Sequence, residues 1–443
     1  MKTEDAQLLI DENPLFRKIV LKRPEEFAPE TRPTVSLHLL VKNGESCVGR
    51  LLRNVGPYID EIVAVVNDTT DKTEEILRSY AEERKQQQPS FNLIILPVTA
   101  ETHPDLYILD VPETYEVGQP MVGEVYEGPF TGKPLLADWA GIRNLGWTQA
   151  TKQWRLFLDA DDVVLDPESI PGLCLALDEA QVDLACSRYI YSSSSSVDVS
   201  VDNKEDSKAD SYRERLCKNE PYIAWYGITH EVIKGQQRTA HIDGNLIVRD
   251  MKDSSGAGIR SPGRCFKILY RHARMNDWMI SPRNLLYLAM EVQFKLPALA
   301  IAVLDKYMDC SLWPEERAWA CSMRGEIHEK VEEDYELASS WYERSLREHP
   351  GTKAAFRLCR SRFHAGKWQE AIDAFQMGVE NKVVMQLLDN GPVFEDMSKI
   401  LVAAALAELG RTNEAKTMCS EALKSFPHNA ALKALHDKLS DGS

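Results

Sequence analysis

The chain has no uninterrupted apolar run near the ~18 residues that a membrane-crossing helix requires. Its first residues, MKTEDAQLLIDENP, contain no apolar segment of the secretory type, so no leader peptide is expected. Positive charge is scarce: 52 Lys and Arg stand against 68 Asp and Glu, for a formal net charge of −16. Non-specific nucleic-acid binding needs a basic footprint, so the balance argues against it for the chain as a whole. The nine cysteines, spread from Cys47 to Cys419, include no C-x-x-C pair. That removes zinc-ligand spacing, and an odd, scattered set suits the reduced thiols of a cytoplasmic protein. The expectation is a soluble protein with no membrane partner.

What is present is ordinary for a folded protein, with 44% hydrophobic and 27% charged residues. A length of 443 residues exceeds one core and predicts two or three domains. Residues 1–33 read as a polar lead-in with a short helix around 5–10. Short apolar runs bounded by turn formers then predict strands at 34–41 (TVSLHLLV), 61–66 (EIVAVV), 91–97 (FNLIILP), 154–160 (WRLFLDA) and 182–190. Helical periods fall between them, at 45–55, from about 73 to 84, and at 137–150. Strands alternating with helices make a largely parallel, Rossmann-like sheet. Two stretches break the rhythm, 98–134 and the Ser-rich 192–210, and both are expected to border the site mouth and to choose the acceptor.

From about residue 281 the pattern becomes helical, opened by Ser281 as N-cap and Pro282 at the first helical position. Gly410, Ala415, Ala422 and Pro427 are spaced five, seven and five. Gly366, Ala371 and Gly378 repeat the first two spacings, and Ala338, Ser345 and Pro350 the last two. Ala338 to Ala371 is 33 residues, close to the ~34 of a tetratricopeptide unit. Ala371 to Ala415 is longer, with an insertion near 387–395. The expected organisation is a lead-in over 1–33, an α/β domain over 34–275, and an all-α tetratricopeptide-like repeat domain over 276–443.

The sharpest chemical feature is Asp159-Ala160-Asp161, at the end of an apolar strand, where open α/β sheets bind ligands. Residues i and i+2 of a strand share a face, so the two carboxylates form a hard oxygen site for Mn²⁺ or Mg²⁺ bridging to a diphosphate. The bland alternative is a pair of solvated acids ahead of the helix that Asp166-Pro167-Glu168 starts. Arg143 suits phosphate by its planar fork; an exposed helix salt bridge is the plainer role. His230-Glu231 supplies a carboxylate for proton abstraction and an imidazole for a metal. Trp225 suits either a sugar face or the core. Arg213 and Arg215 suit either phosphates or a charged surface.

Four segments, in order, resemble family 2 glycosyltransferases of the GT-A fold, in the branch that carries tetratricopeptide-like repeats. They are 36–45 (SLHLLVKNGE), 60–73 (DEIVAVVNDTTDKT), 140–162 with Arg143-Asn144 and LFLDADD, and 225–232 (WYGITHEV). The resemblance spans about residues 34–435. It implies transfer of a sugar from a nucleoside-diphosphate donor, a UDP-sugar first, with Mn²⁺ or Mg²⁺. It implies that Lys42, Asn43, Asp71, Arg143, Asn144 and Asp159 bind the donor. Asp159, Asp161 and His230 would hold the metal, and Glu231 would be the general base; in the alternative, His230 is the base and Glu231 orients it. The acceptor is left open among a protein or peptide, a modified nucleobase and a glycan. One departure stands out: the family has an Asp at the end of its second strand, where this chain has Val66 and Asn67. Two other readings compete. A nucleotidyltransferase would need a G-x-G-x-[TS]-R loop, which residues 41–49 (VKNGESCVG) lack. A non-enzymatic repeat scaffold would not need Arg143, Asp159, Asp161 and Glu231 together.

Overall fold

The structure, a computed structural model, describes residues 7–9, 32–109, 132–190, 210–236, 238–243, 246, 248–250, 263–380 and 391–441. They fall into two compact units, the first through Ile268 and the second from Leu269.

The first unit opens with β1 (Gln7–Leu9), β2 (Val35–Val41), α1 (Val48–Val55), β3 (Glu61–Asn67), α2 (Thr73–Gln87) and β4 (Asn92–Val98). The short pair β5 (Tyr107–Leu109) and β6 (Pro134–Leu136) follows, then α3 (Trp139–Trp147), β7 (Trp154–Asp159), β8 (Asp162–Val164) and α4 (Ile170–Glu179). The remaining strands are β9 (Leu184–Ile190), β10 (Asp210–Lys218), β11 (Ala224–Tyr226), β12 (Val232–Lys234), β13 (Thr239–Asp243) and β14 (Val248–Asp250).

The main sheet runs β1-β13-β9-β10-β7-β2-β3-β4, with β14 joining β8 and β9. Its β7-β2-β3-β4 core is parallel, as the sequence predicts. Every residue of β3 (EIVAVVN) is buried, the mark of a parallel strand covered on both faces. Leu51, Leu52, Leu77, Leu173 and Leu177, from α1, α2 and α4, pack in one core with the sheet. Trp147 of α3 belongs to a separate cluster with Phe157 and Trp225. Each fully buried Leu or Val contributes about 1.5–3 kcal/mol.

β10, inside the sheet, is antiparallel to both of its neighbours, β7 and β9. Its polar-rich sequence, DSYRERLCK, carries no signal for an internal strand. The helix expected around residues 5–10 is instead β1, because Leu8 pairs with Ile242 in an antiparallel ladder to β13. A distant ladder partner decides three residues whose own propensity is weak. Both rhythm-breaking stretches fall mainly outside the described residues, at 110–131 and 191–209.

The second unit is helical. After α5 (Arg264–Met275) come α6 (Pro282–Val292), α7 (Pro297–Cys310), α8 (Pro314–Lys330), α9 (Tyr335–Glu348), α10 (Thr352–His364) and α11 (Trp368–Glu380). The last three are α12 (Gly391–Glu408), α13 (Thr412–Ser425) and α14 (Ala430–Asp441). Ser281 caps α6 as predicted, accepting from the Asn284 N–H at 3.3 Å. Small residues permit the close pairing of helices. A Cβ on Gly378 of α11 would lie 2.6 Å from the Phe356 ring of α10, and one on Gly325 of α8 as close to Tyr342 of α9. Gly366 and Gly410, at φ +74 and +72, make the turns into α11 and α13. Glu329 ties α8 to α10 through two bonds from Arg360, at 2.6 and 2.8 Å. The unit is thus a run of helical hairpins, as the Gly/Ala/Pro spacing implies; of the insertion expected near 387–395, residues 387–390 lie outside the described residues and 391–395 open α12. Among the described residues no helix is long and apolar enough to cross a membrane.

Candidate active site

Strands β3 and β4 lie to one side of β2, and β7 lies to the other. The winding direction therefore reverses between β2 and β7, and a crevice opens beyond their carboxyl ends. Leu40 of β2 is paired with Asp159, the last residue of β7, so Asp159 stands at that reversal.

The loops after β2 and β3 are laced together. Asn43, left-handed at φ 50, accepts the Thr70 N–H at 2.8 Å, and its own N–H donates to Thr69 Oγ1 at 3.3 Å. Asp71 accepts from the Glu45 N–H at 2.9 Å and the Thr73 N–H at 3.0 Å. Burial works to raise the Asp71 carboxyl, but hydrogen bonds from Thr73 and Glu45 outweigh it and hold it below the usual range. Asn43 and Asp71 thus spend side-chain capacity on shaping the crevice wall. Lys42 is exposed, its Nζ 3.7 Å from Asp68. Asn67, at the departure noted above, is buried and accepts from the Tyr107 hydroxyl.

Around Asp159 the geometry corrects the sequence expectation. The strand stops there, and Ala160 and Asp161 form a turn into β8, so Asp159 and Asp161 do not share a strand face. The cause is Asp162: its buried carboxylate takes the Asp159 N–H at 2.9 Å, and β8 pairs with β14. The Asp161 carbonyl accepts from Arg50 at 3.3 Å. The Asp159 side chain is 35% exposed, whereas Asp162 is sealed against Tyr189 and Arg215. Burial drives the Asp162 carboxyl up, with the Arg215 cation opposing it.

Arg143, on α3, is the hub. Its Nε donates to Glu231 Oε1 at 2.6 Å, and its Nη2 lies 4.0 Å from Asp159 Oδ1. Its guanidinium carbon lies 4.3 Å from the Phe157 ring centre and 5.1 Å from that of Trp225. Nη1 is buried without a hydrogen bond among the described residues. Beneath it, His38 Nε2–H donates to the Arg143 carbonyl at 2.9 Å. Burial first, then the Arg143 cation, pushes the His38 ring down to about 3, so it is neutral and its tautomer is set by that carbonyl.

Asn144 does not face the crevice. Both ends of its amide are taken by the Trp225 backbone, each at 2.9 Å. Trp225 is a core residue, edge-on to Phe157 at 4.9 Å, rather than an open platform. His230 and Glu231 lie in the loop between β11 and β12, with His230 left-handed at φ 51, so they do not alternate as strand residues. Asp159, Asp161 and His230 do not converge to a common ligand position; a His230 ring nitrogen lies within 4.8 Å of the Cys265 thiol instead. Arg215 is wholly buried, and Arg213 lies over the Tyr189 ring at 4.7 Å. Sequence reasoning missed His38, Asp162 and Tyr189. A lone His within the apolar SLHLLV and a third Asp in DADD were the available signals.

The crevice thus offers one stacked guanidinium beside the part-exposed Asp159 carboxylate at the end of β7. That combination suits a phosphate-bearing ligand with a hard cation.

No protein-family model matches the chain, and no curated protein matches it significantly. Among solved structures it is similar to S. aureus TarS 1–349 in complex with UDP-GlcNAc, at 14% identity and a TM-score of 0.34, over 78% of this chain and 90% of that one. It is also similar to MamA, at 18% identity and 0.32, over 41% and 99% of the two chains. A third likeness is to YrrB, a TPR protein with an unusual peptide-binding site, at 16% identity and 0.32, over 39% and 81%.

Proposed function

We propose that the first unit is a glycosyltransferase of the GT-A type, joined to tetratricopeptide-like repeats, and that it takes a nucleoside-diphosphate sugar, a UDP-sugar first, at the β2–β7 crevice. The observation that carries this reading is the placement of Asp159 at the winding reversal with the Arg143 guanidinium 4.0 Å away. Parallel sheets bind nucleotides at such a point, and an Arg fork matches diphosphate oxygens.

Asp159 and Asp161 are the oxygen donors that would hold Mn²⁺ or Mg²⁺ together with the diphosphate, and such hard donors fit those ions. When bound, the cation supplies charge neutralisation on the leaving nucleotide. Arg143 orients the diphosphate, and its stacking on Phe157 and Trp225 fixes that orientation in advance. Glu231, with Oε1 held by Arg143, takes the acceptor proton on Oε2. In that step the acceptor bonds to the anomeric carbon, and the carbon–oxygen bond to the diphosphate breaks with its electron pair leaving on the phosphate.

The test is calorimetry with a panel of nucleotide sugars, with and without Mn²⁺, on the full chain and on Asp159→Asn and Asp161→Ala. Expected are Mn²⁺-dependent binding of one donor by the wild type and its loss in both folded variants. Undiminished binding by the variants would refute the assignment.

A further inference from the structure

Asp159 owes its position to groups that the proposed chemistry does not use. β7 pairs with β10 only through Trp154, Arg155 and Leu156. Past that point, side chains meet the main chain of β7. Arg215 Nη1 donates to the Phe157 carbonyl at 3.1 Å, and Asp162 Oδ2 accepts the Asp159 N–H at 2.9 Å. The two side chains also pair with each other, Nη2 lying 3.4 Å from Oδ2, both fully buried. The Tyr189 hydroxyl donates to Asp162 Oδ1 at 2.9 Å, and the Arg215 guanidinium lies over the Tyr189 ring at 4.8 Å.

Arg215 arrives there through a fault in the ladder. The β10–β9 register shifts between Glu214 and Leu216, which places Arg215 at a bulge. Bulges beside active sites re-aim a side chain, and this one buries a cation that an unbroken ladder would place differently. A sealed ion pair is poor value as stabilisation, since apolar side chains of similar volume serve as well or better. This pair does something apolar side chains cannot: it bonds the peptide groups of Phe157 and Asp159, where the strand ends and the crevice begins.

We propose that Asp162, Arg215 and Tyr189 form a positioning clasp for Asp159, a buried pair that fixes the main chain so that the Asp159 carboxylate is presented to the donor and its cation. This rests on the reading of the crevice as the donor site. None of the three touches the donor; they act through Asp159. Supporting residues behind a metal ligand typically change affinity or activity ~10–100-fold when lost.

The test uses the full chain with UDP and Mn²⁺ as the calorimetric probe. The variants are Asp162→Asn, Tyr189→Phe and the charge-neutral double Asp162→Asn/Arg215→Met, and the second readout is hydrogen exchange at the Asp159 amide. Expected are at least ~10-fold weaker UDP binding in Asp162→Asn and the double variant, with a smaller loss in Tyr189→Phe. Exchange at Asp159 should quicken while that of Leu156 does not. If Asp162→Asn fails to fold, Tyr189→Phe and the double variant carry the test. Wild-type binding and wild-type exchange in the folded variants would overturn the clasp. Absence of Mn²⁺-dependent UDP binding in the wild type would count against the donor-site reading, and exchange at Asp159 would then still decide whether the clasp holds that residue.

Discussion

Replacing Arg143 by Met removes the guanidinium while keeping apolar bulk between Phe157 and Trp225. The Arg143 and Glu231 side chains are only 10% and 12% exposed and meet at 2.6 Å, so solvent does little to screen them. Removing one partner of such a pair leaves an uncompensated buried charge, at a cost of about 3–5 kcal/mol. Loss of the two ring contacts adds roughly 0.5–2 kcal/mol. For a unit of this size, the sum of about 3.5–7 kcal/mol corresponds to a fall of about 7–28 °C in Tm. Glu231→Gln keeps an acceptor for Nε and should cost less. The double variant should be less destabilised than the sum of the singles, with a coupling of about 1–3 kcal/mol. The assay is urea unfolding of the full chain followed by tryptophan fluorescence. Additivity within ~0.5 kcal/mol would refute the claim that Arg143 and Glu231 form one preorganised unit. In turnover, Glu231→Gln should lower the rate by about 10²–10⁴ with donor affinity nearly intact, if it is the base.

His38 predicts an acid-sensitive fold. Its ring is held down to about 3 in the folded protein, below the unfolded value of 6.5, so the unfolded chain binds the extra proton first. The contribution is fully present above pH ~6.5 and is lost as pH falls toward ~3, at up to about 1.4 kcal/mol per pH unit. Urea midpoints between pH 4 and 7 should therefore fall more steeply for the wild type than for His38→Gln, and equal slopes would contradict a neutral buried ring. In the second unit, Ala371 is fully buried on α11. Ala371→Trp should overpack that helix pair and cost about 1–3 kcal/mol, read as a shift in the unfolding of the repeats; unchanged unfolding would mean the site has room that the packing denies.

Much of this architecture follows from short-range pattern. The apolar runs of β2, β3 and β7, the Ser281-Pro282 cap and the recurring Gly366 and Gly410 turns each rest on local periodicity or on one residue's own dihedral preference, so reading along the chain suffices. Arg143, Asp159 and Glu231 are also legible as a set of residue types. Their meeting is not, because Arg143 and Glu231 are 88 residues apart and join only when α3 and the β11–β12 loop pack together. Tertiary structure alone turned Asp161 off the strand, spent Asn144 on the Trp225 backbone, and made residues 7–9 a strand. It alone set Arg215 inward at a bulge. A register shift is a property of two paired strands, and the cost of burying a charge depends on what lies opposite it. Neither is written in the neighbours of Arg215 along the chain.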